Sequence, residues 1–112
     1  MKYKIVAVEP NKSGYRTDMS FPDVQEFVGG YVQQVNLYDD KYAVLNEDGY
    51  ALKLPHNRNL ILQDHKHFPL TVVGNFVVVK LVGGQWVSMS ENELKEAEFI
   101  FRMYGQDATI FI

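Results

Sequence analysis

The sequence predicts an α+β fold in which a mostly antiparallel sheet of about six strands carries two helices packed on one face. Three observations favour this class. Short β-prone runs separated by turn residues recur along the chain, two segments have helical spacing behind a serine, and residues 70–82 form a long apolar run. A chain of 112 residues is the usual size of one domain, and we expect residues 1–112 to form a single domain.

The first third of the chain predicts a hairpin followed by a helix. Residues 2–8 alternate as a half-buried strand does, Pro10–Gly14 has turn composition, and the polar residues 15–19 are typical of an edge strand. Ser20 precedes an apolar stripe at helical spacing and is expected to cap its first turn. Gly29–Gly30 should end this helix, because glycine adopts the left-handed conformation at low cost.

The middle of the chain predicts a strand and then a central β-hairpin. Residues 31–37 have strand spacing, and the runs Tyr42–Leu45 and Tyr50–Leu54 flank a short polar segment. We expect Gly49 in that segment to adopt positive φ. Pro55 should end the hairpin, since proline has no N–H to donate to a neighbouring strand.

The last third predicts a buried strand, a hairpin partner and a second helix. The run 70–82 is rich in valine, as in a central strand covered on both faces, and Gly74–Asn75 suggests a bulge within it. Gly83–Gly84 should turn the chain into a partner strand. Ser90 and Glu93 have capping-box spacing.

The end of the chain has its own pattern. The second helix carries an apolar stripe that ends near Tyr104, and Gly105 is expected to close it. Residues 108–112 are an apolar strand that would promote aggregation if its edge were free. We therefore expect this strand to pair within the fold or across a homodimer interface.

Composition narrows the class of function. A net charge of −3 argues against direct nucleic-acid binding, which needs clustered Lys and Arg, and the absence of cysteine excludes disulfides and thiolate chemistry. No apolar segment has the length of a membrane span or a signal peptide, so we expect a soluble cytoplasmic protein. No nucleophile, base and orienting group stand in a recognisable catalytic pattern. We expect a non-enzymatic protein without cofactor or metal.

A polar cluster after the central hairpin is the leading candidate site. His56, Asn57 and Arg58 place an imidazole, an amide and a guanidinium in consecutive residues of an expected loop. Arg58 has the planar fork that binds anions through two hydrogen bonds. The alternative is structural: Asn57 caps the turn, and Arg58 pairs with Glu47 or Asp48.

Two further sets of residues have two interpretations each. Aromatic residues make up 13% of the chain, and Tyr31, Tyr42 and Tyr50 either line a binding face or fill the core. Asp64, His65 and His67 suggest a metal site, but the segment has loop composition and no second cluster of ligands exists. We interpret the latter segment as a solvated polar loop.

The chain resembles the domain-of-unknown-function family 3846, small proteins found mainly in bacteriophages and plasmids. The segments that carry the resemblance are Val8–Pro10, Val28–Tyr31, Asn46–Gly49, Leu54–Arg58, Val73–Asn75 and the helix after Ser88–Ser90. His56 stands where the family loop has a second proline, and the tail 105–112 extends past the usual end. The resemblance implies a mobile-element origin and assigns no activity.

Two functional hypotheses follow, from different classes. The first is a non-enzymatic phage or mobile-element protein that binds a host protein as an anti-defence inhibitor. The alternative is a small-ligand binder that sequesters an anionic nucleotide signal through His56, Asn57 and Arg58, with stacked tyrosines.

Overall fold

The computed structural model describes residues 1–63, 69–105 and 108–112. In these residues the chain has an α+β fold, as predicted. The helices are α1 Phe21–Val28 and α2 Glu91–Ile100. The strands are β1 Tyr3–Val8, β2 Tyr15–Met19, β3 Val32–Tyr38, β4 Lys41–Asn46, β5 His56–Ile61, β6 Leu70–Val73, β7 Phe76–Val82, β8 Gln85–Val87 and β9 Thr109–Phe111. No helix in the described ranges is long and apolar enough to cross a membrane.

Sheet A confirms the predicted antiparallel sheet of about six strands. Its order is β2-β1-β7-β4-β3, and β8 is paired with β7. All of its described pairings are antiparallel. β7 lies between β1 and β4, so both of its edges are paired, and its alternate residues lie in the core clusters on the two faces of the sheet.

A second sheet, sheet B, was not predicted. It has the order β6-β5-β9, with β5 and β6 antiparallel and β5 and β9 parallel. The C-terminal strand therefore pairs within the fold, with Leu60 opposite Ile110. The Ile112 N–H extends this contact by donating to the Ile61 carbonyl at 3.0 Å.

The two helices lie on opposite faces of sheet A, and the prediction that both pack on one face is wrong. Successive residues of a strand point to opposite faces. Ile5 and Ala7 of β1 share a buried cluster with α1, whereas Val6 and Val8 share another with α2 and sheet B. Because all four of these β1 residues are buried, the central strands need cover on both sides.

The helix starts follow the predicted capping. Ser20 accepts the Asp23 N–H and Ser90 accepts the Glu93 N–H, and each capping box is completed by the acidic side chain. Gly29 closes α1 with φ of 88°, as predicted. The prediction that Gly105 closes α2 is wrong, because α2 ends at Ile100.

The predicted central hairpin does not form. β4 pairs with β3 and β7, and residues 47–53 are turns. Gly49 is not among the residues with positive φ, whereas Lys53 has φ of 55°. Gly49 is instead required by space, since an added Cβ would lie 2.8 Å from Val73 Cγ2. The β-prone run 50–54 was therefore not evidence for a strand.

The apolar run 70–82 contains two strands in different sheets. Leu70–Val73 is β6 of sheet B, and Phe76–Val82 is β7 of sheet A. Gly74, with φ of 75°, is where the chain passes from one sheet to the other. The predicted bulge is a break between strands, and only β7 is the central strand.

Candidate functional site

The expected polar loop at residues 55–58 is the start of a strand. His56 lies opposite Val73 and Arg58 lies opposite Val72, so the register shifts at Asn57. Such a bulge redirects side chains locally. Asn57 and Arg58 are both buried, and Arg58 has 0% of its surface exposed.

The Arg58 guanidinium binds carbonyl oxygens in the interior. Its Nη1 donates to the Glu9 carbonyl at 3.2 Å and to Asn57 Oδ1 at 2.6 Å. Its Nη2 donates to the Lys12 carbonyl at 2.6 Å and to the Phe101 carbonyl at 3.1 Å. One side chain thus joins the end of β1, the β1–β2 turn, β5 and the end of α2.

No carboxylate among the described residues pairs with this cation, so the predicted ion pair of Arg58 with Glu47 or Asp48 is wrong. Burial lowers the pKa of Arg58. Two features compensate the buried charge: the oxygens already bound, and the negative end of the α2 dipole at the Phe101 carbonyl. The Arg58 Nε–H has no acceptor in the described part of the chain.

Asn57 and His56 also make internal contacts. Asn57 Nδ2 donates to the carbonyls of Val8 at 3.0 Å and Gly74 at 2.8 Å, which ties β1 to the junction between the sheets. His56 Nε2 lies 3.2 Å from Asn59 Oδ1. The expectation of an exposed anion-binding loop is therefore wrong. A nucleotide could reach Arg58 only by displacing the carbonyl oxygens bound to it. The geometry therefore does not support the hypothesis that this loop binds a nucleotide.

Of the three candidate tyrosines, one is half-buried and two are exposed. Tyr42, on β4, packs against the core cluster under α1 and is half-buried. Tyr31 and Tyr50 are 75% and 67% exposed. Both exposed side chains belong to the end of the molecule where the turns of residues 47–53 meet the α1–β3 corner.

We call this region the turn-end surface and define it by Tyr31, Glu47, Asp48, Tyr50 and Leu52. All five residues are exposed. The Glu47 N–H donates to the Tyr31 carbonyl at 2.9 Å, so the two segments adjoin. Tyr50 is three residues further along, which limits its Cα to about 11 Å from that of Glu47.

Hydrogen bonds from buried Asn46 hold the turn-end surface in place. Asn46 Nδ2 donates to the Val28 carbonyl at 3.0 Å, and its Oδ1 accepts the Asp48 N–H at 2.7 Å. The Tyr50 hydroxyl donates to the Thr71 carbonyl, which anchors the ring on sheet B. The segment is thus fixed to α1 and to β6 although its side chains face solvent.

The carboxylates of this surface differ from those that Arg16 binds. Neither Glu47 nor Asp48 forms an ion pair among the described residues, whereas Arg16 binds Glu91 at 2.7 Å and Glu98 at 2.6 Å. Arg16 and Glu91 line a recess of about 440 Å³. Exposed aromatic rings beside carboxylates without a cation suit a basic partner.

Sequence reasoning missed some exposed apolar residues. Leu52 was expected in a strand but lies in a turn, and no periodic signal marks it. Phe99 lies in α2 outside its buried stripe, Met103 follows the end of that helix, and both are exposed. For Phe99, the helical position opposite the stripe was the available signal.

The residues Asp64, His65 and His67, which the sequence analysis interpreted as part of a solvated polar loop, lie outside the described residues. In the ranges that are described, no group of three or more His, Asp or Glu side chains is placed to hold a metal ion.

Residues 1–104 match a family model described as "Domain of unknown function (DUF3846)". The chain belongs to this family. The match includes every element of this DUF3846 protein except β9, which follows residue 104. No curated protein and no solved structure matches the chain.

Proposed function

We propose that this DUF3846 protein is a non-enzymatic binding protein of a phage or other mobile element. In this proposal it acts in the cytoplasm of the host cell as an anti-defence inhibitor, by binding a host protein. The observation that supports the proposal is the turn-end surface, where Tyr31 and Tyr50 are exposed on a hydrogen-bonded segment beside Glu47 and Asp48.

Tyrosine is well suited to protein recognition. It offers a large contact area with few rotatable bonds, and it is enriched among the residues that contribute most to binding. The Tyr50 ring is further restrained by its bond to the Thr71 carbonyl, so little side-chain entropy remains to be lost. A partner would gain most of its contact energy here.

The charge of this surface indicates the chemistry of the partner. A guanidinium stacks favourably on a tyrosine face and pairs with a carboxylate through two hydrogen bonds. Glu47 and Asp48 supply carboxylates, and the net charge of −3 favours approach of a basic protein. The proposed partner therefore presents arginine or lysine beside apolar side chains.

The first experiment identifies the host protein by affinity capture and then measures its binding by calorimetry with both proteins purified. We expect Tyr50→Ala and Glu47→Gln each to weaken binding about tenfold or more, which equals about 1.4 kcal/mol. Asp18→Asn is the matched control, since it removes an exposed charge from β2, and its affinity should stay within about twofold. Equal affinity of all four proteins would contradict the assigned surface.

The inhibitor role needs a separate measurement. The captured host protein, if it is a defence enzyme, should lose activity in proportion to the bound fraction, and Tyr50→Ala should shift the inhibition curve as it shifts binding. Full activity at saturating inhibitor would disprove inhibition while leaving the binding function intact.

A further inference from the structure

β2 is an edge strand of sheet A. Among the described residues it pairs only with β1, in a register that places Asp18 opposite Lys4. The Lys4 main chain faces away from β2, because its N–H donates to Ser88 Oγ and its carbonyl accepts the Met89 N–H. Lys4 and Asp18 therefore form a non-hydrogen-bonded pair, and the N–H and C=O groups of Asp18 point to the outer edge of the sheet.

The outer edge of β2 presents four main-chain groups. The direction of the N–H and C=O groups alternates along a strand, so those of Arg16 point to the same edge as those of Asp18. The residues between and beside these two bond to β1 instead. No main-chain group of the described residues pairs with this edge. Unpaired groups at a sheet edge are a template for another strand.

The order of charges along β2 fits an antiparallel copy of the same strand. When two copies meet about a two-fold axis at Thr17, Arg16 of each copy lies opposite Asp18 of the other. Their N–H and C=O groups then form four hydrogen bonds, which use every group at both edges. A shift of the register by two residues would place Arg16 opposite Arg16 or Asp18 opposite Asp18. Like charges directly opposite are destabilising, so the charge pattern selects one register.

The charges on the α2 side of β2 allow this contact. Asp18 forms no ion pair among the described residues, whereas Arg16 already binds Glu91 and Glu98. In the pair, each Asp18 would lie between the Lys4 of its own copy and the Arg16 of the other. The Lys4 ammonium thus offsets the third carboxylate brought to Arg16. All of these residues except Glu98 line the recess of about 440 Å³, which leaves space for side chains of a second copy.

The side chains on the α1 side match across the same axis. Tyr15 would lie opposite Met19 of the other copy, and Thr17 opposite its own equivalent. Threonine pairs are favourable across strands, and a methionine sulfur packs well against an aromatic ring. Tyr15 is 37% exposed and therefore has surface to bury.

We infer from these observations that β2 binds β2 of a second copy of this chain, which joins two copies of sheet A into one continuous sheet. The occupant is a copy rather than an unrelated strand because the charges, the threonine and the edge groups all match their own reverse order. The inference goes beyond the proposed host-protein function and does not depend on it, since no β2 residue belongs to the turn-end surface. A strand of 5 residues gives a small interface, so we expect a dimer that dissociates on dilution.

Sedimentation velocity on the full chain, at concentrations up to about 100 μM, tests the pairing with reversed charges. The wild type should shift from monomer toward dimer over this range. Asp18→Arg should weaken the dimer about tenfold or more, because it places arginine opposite arginine. Asp48→Arg is the matched control, since it reverses an exposed charge on the turn-end surface and should dimerise as the wild type does. A wild type that stays monomeric, or an Asp18→Arg variant that dimerises equally well, would overturn the inference.

A mixture of two variants tests the register itself. Arg16→Asp alone should also be monomeric, because it places carboxylates opposite carboxylates. Mixed with Asp18→Arg it should form a dimer, since each arginine then faces an aspartate. Circular dichroism verifies that both variants are folded before mixing. A mixture of two folded variants that remains monomeric would contradict the register.

A cysteine variant tests the same contact with both charges in place, because Arg16→Asp also removes the ion pairs with α2. The chain contains no cysteine, so a disulfide in Thr17→Cys must join two copies. Residues of a non-hydrogen-bonded pair have Cα atoms about 4.5 Å apart, within the range of a disulfide. In a glutathione redox buffer we expect Thr17→Cys to become mostly covalent dimer. Gln33→Cys, at an exposed position of the opposite edge strand β3, is the control and should stay mostly monomeric. Equal yields of covalent dimer from the two variants would contradict the pairing of β2.

Discussion

Arg58 illustrates how one buried side chain can organise distant segments. Its two Nη atoms bind four oxygens, three of them main-chain carbonyls of Glu9, Lys12 and Phe101. Arginine suits this position because its planar fork presents several N–H donors in fixed directions. Lysine has one ammonium group and cannot reach carbonyls on both sides. An Arg58→Lys change would therefore keep the positive charge but not the hydrogen bonds to these carbonyls.

We predict that Arg58→Lys lowers the free energy of unfolding by about 2–4 kcal/mol, because the carbonyls lose donors and a compact ammonium remains buried. Urea unfolding followed by circular dichroism measures the change. Arg102→Lys is the control: Arg102 is exposed, and its loss should cost less than about 0.5 kcal/mol. Equal midpoints for the two variants would show that Arg58 is not a structural crosslink.

Gly49 gives a second prediction at the residue scale. An alanine Cβ there would lie 2.8 Å from Val73 Cγ2, so we expect Gly49→Ala to cost about 1–3 kcal/mol. The penalty comes from contact rather than from backbone strain. Val73→Ala should relieve it, and the double variant should therefore be more stable than the sum of the two single changes predicts. Strict additivity in the urea midpoints would rule out the contact as the cause.

At the scale of elements, the sequence predicted best what local chemistry determines. Ser20, Ser90 and Gly29 act within a few residues of themselves, and all three appear in their predicted roles. β5 was missed because its polar residues are buried by partners that lie far away in the sequence, such as those of the Asn57–Val8 and Arg58–Phe101 bonds. A short stretch of sequence does not show which distant residues will contact it.

The same limit applies to the candidate site. Tyr31 and Tyr50 were named from the sequence and are exposed, whereas His56, Asn57 and Arg58 were named and lie inward. For the tyrosines and for the polar cluster alike, the residue types indicated what the side chains could bind. The side on which each residue faces depends on sheet B, whose parallel β5–β9 pairing joins segments about fifty residues apart. The β5–β9 pairing produces no periodic pattern in the sequence.

The start of α2 also contains an ion-pair network. Glu93 caps the helix and binds Lys41 at 2.8 Å and Lys80 at 3.1 Å. The hydrogen bond from Lys41, followed by that from the Ser90 N–H, lowers the pKa of Glu93 to about 2. For Lys41 burial acts in the opposite direction, but hydrogen bonds to Asp40 and Glu93 outweigh it and raise the pKa.

We predict an acid-dependent stability from this network. Since the folded pKa of Glu93 lies below its ordinary value of 4.5, its contribution is full above that pH and is lost as the pH falls toward about 2. Glu93→Gln should cost about 1–3 kcal/mol near pH 7 and almost nothing near pH 2. Urea unfolding of both proteins across this range measures the difference. The exposed Glu96→Gln is the control and should change little at any pH; a cost for Glu93→Gln that does not shrink in acid would contradict the assignment.

At the scale of the whole molecule, sheet A is the centre of the fold and is covered on both faces. α1 covers one face, while α2 and sheet B cover the other. The turn-end surface is attached to α1 through Asn46 and to sheet B through Tyr50. The buried polar cluster therefore has a structural role, and recognition is proposed for the turn-end surface.

The most direct test of this account places a benzoylphenylalanine crosslinker at position 50 and, as the matched control, at position 18, in the protein expressed in cells of the proposed host. At position 50 we predict a covalent adduct with one host protein, and the added Glu47→Gln change should reduce its yield. At position 18 we predict no such adduct. The same adducts from both positions, or none from position 50, would contradict the claim that the turn-end surface binds the partner.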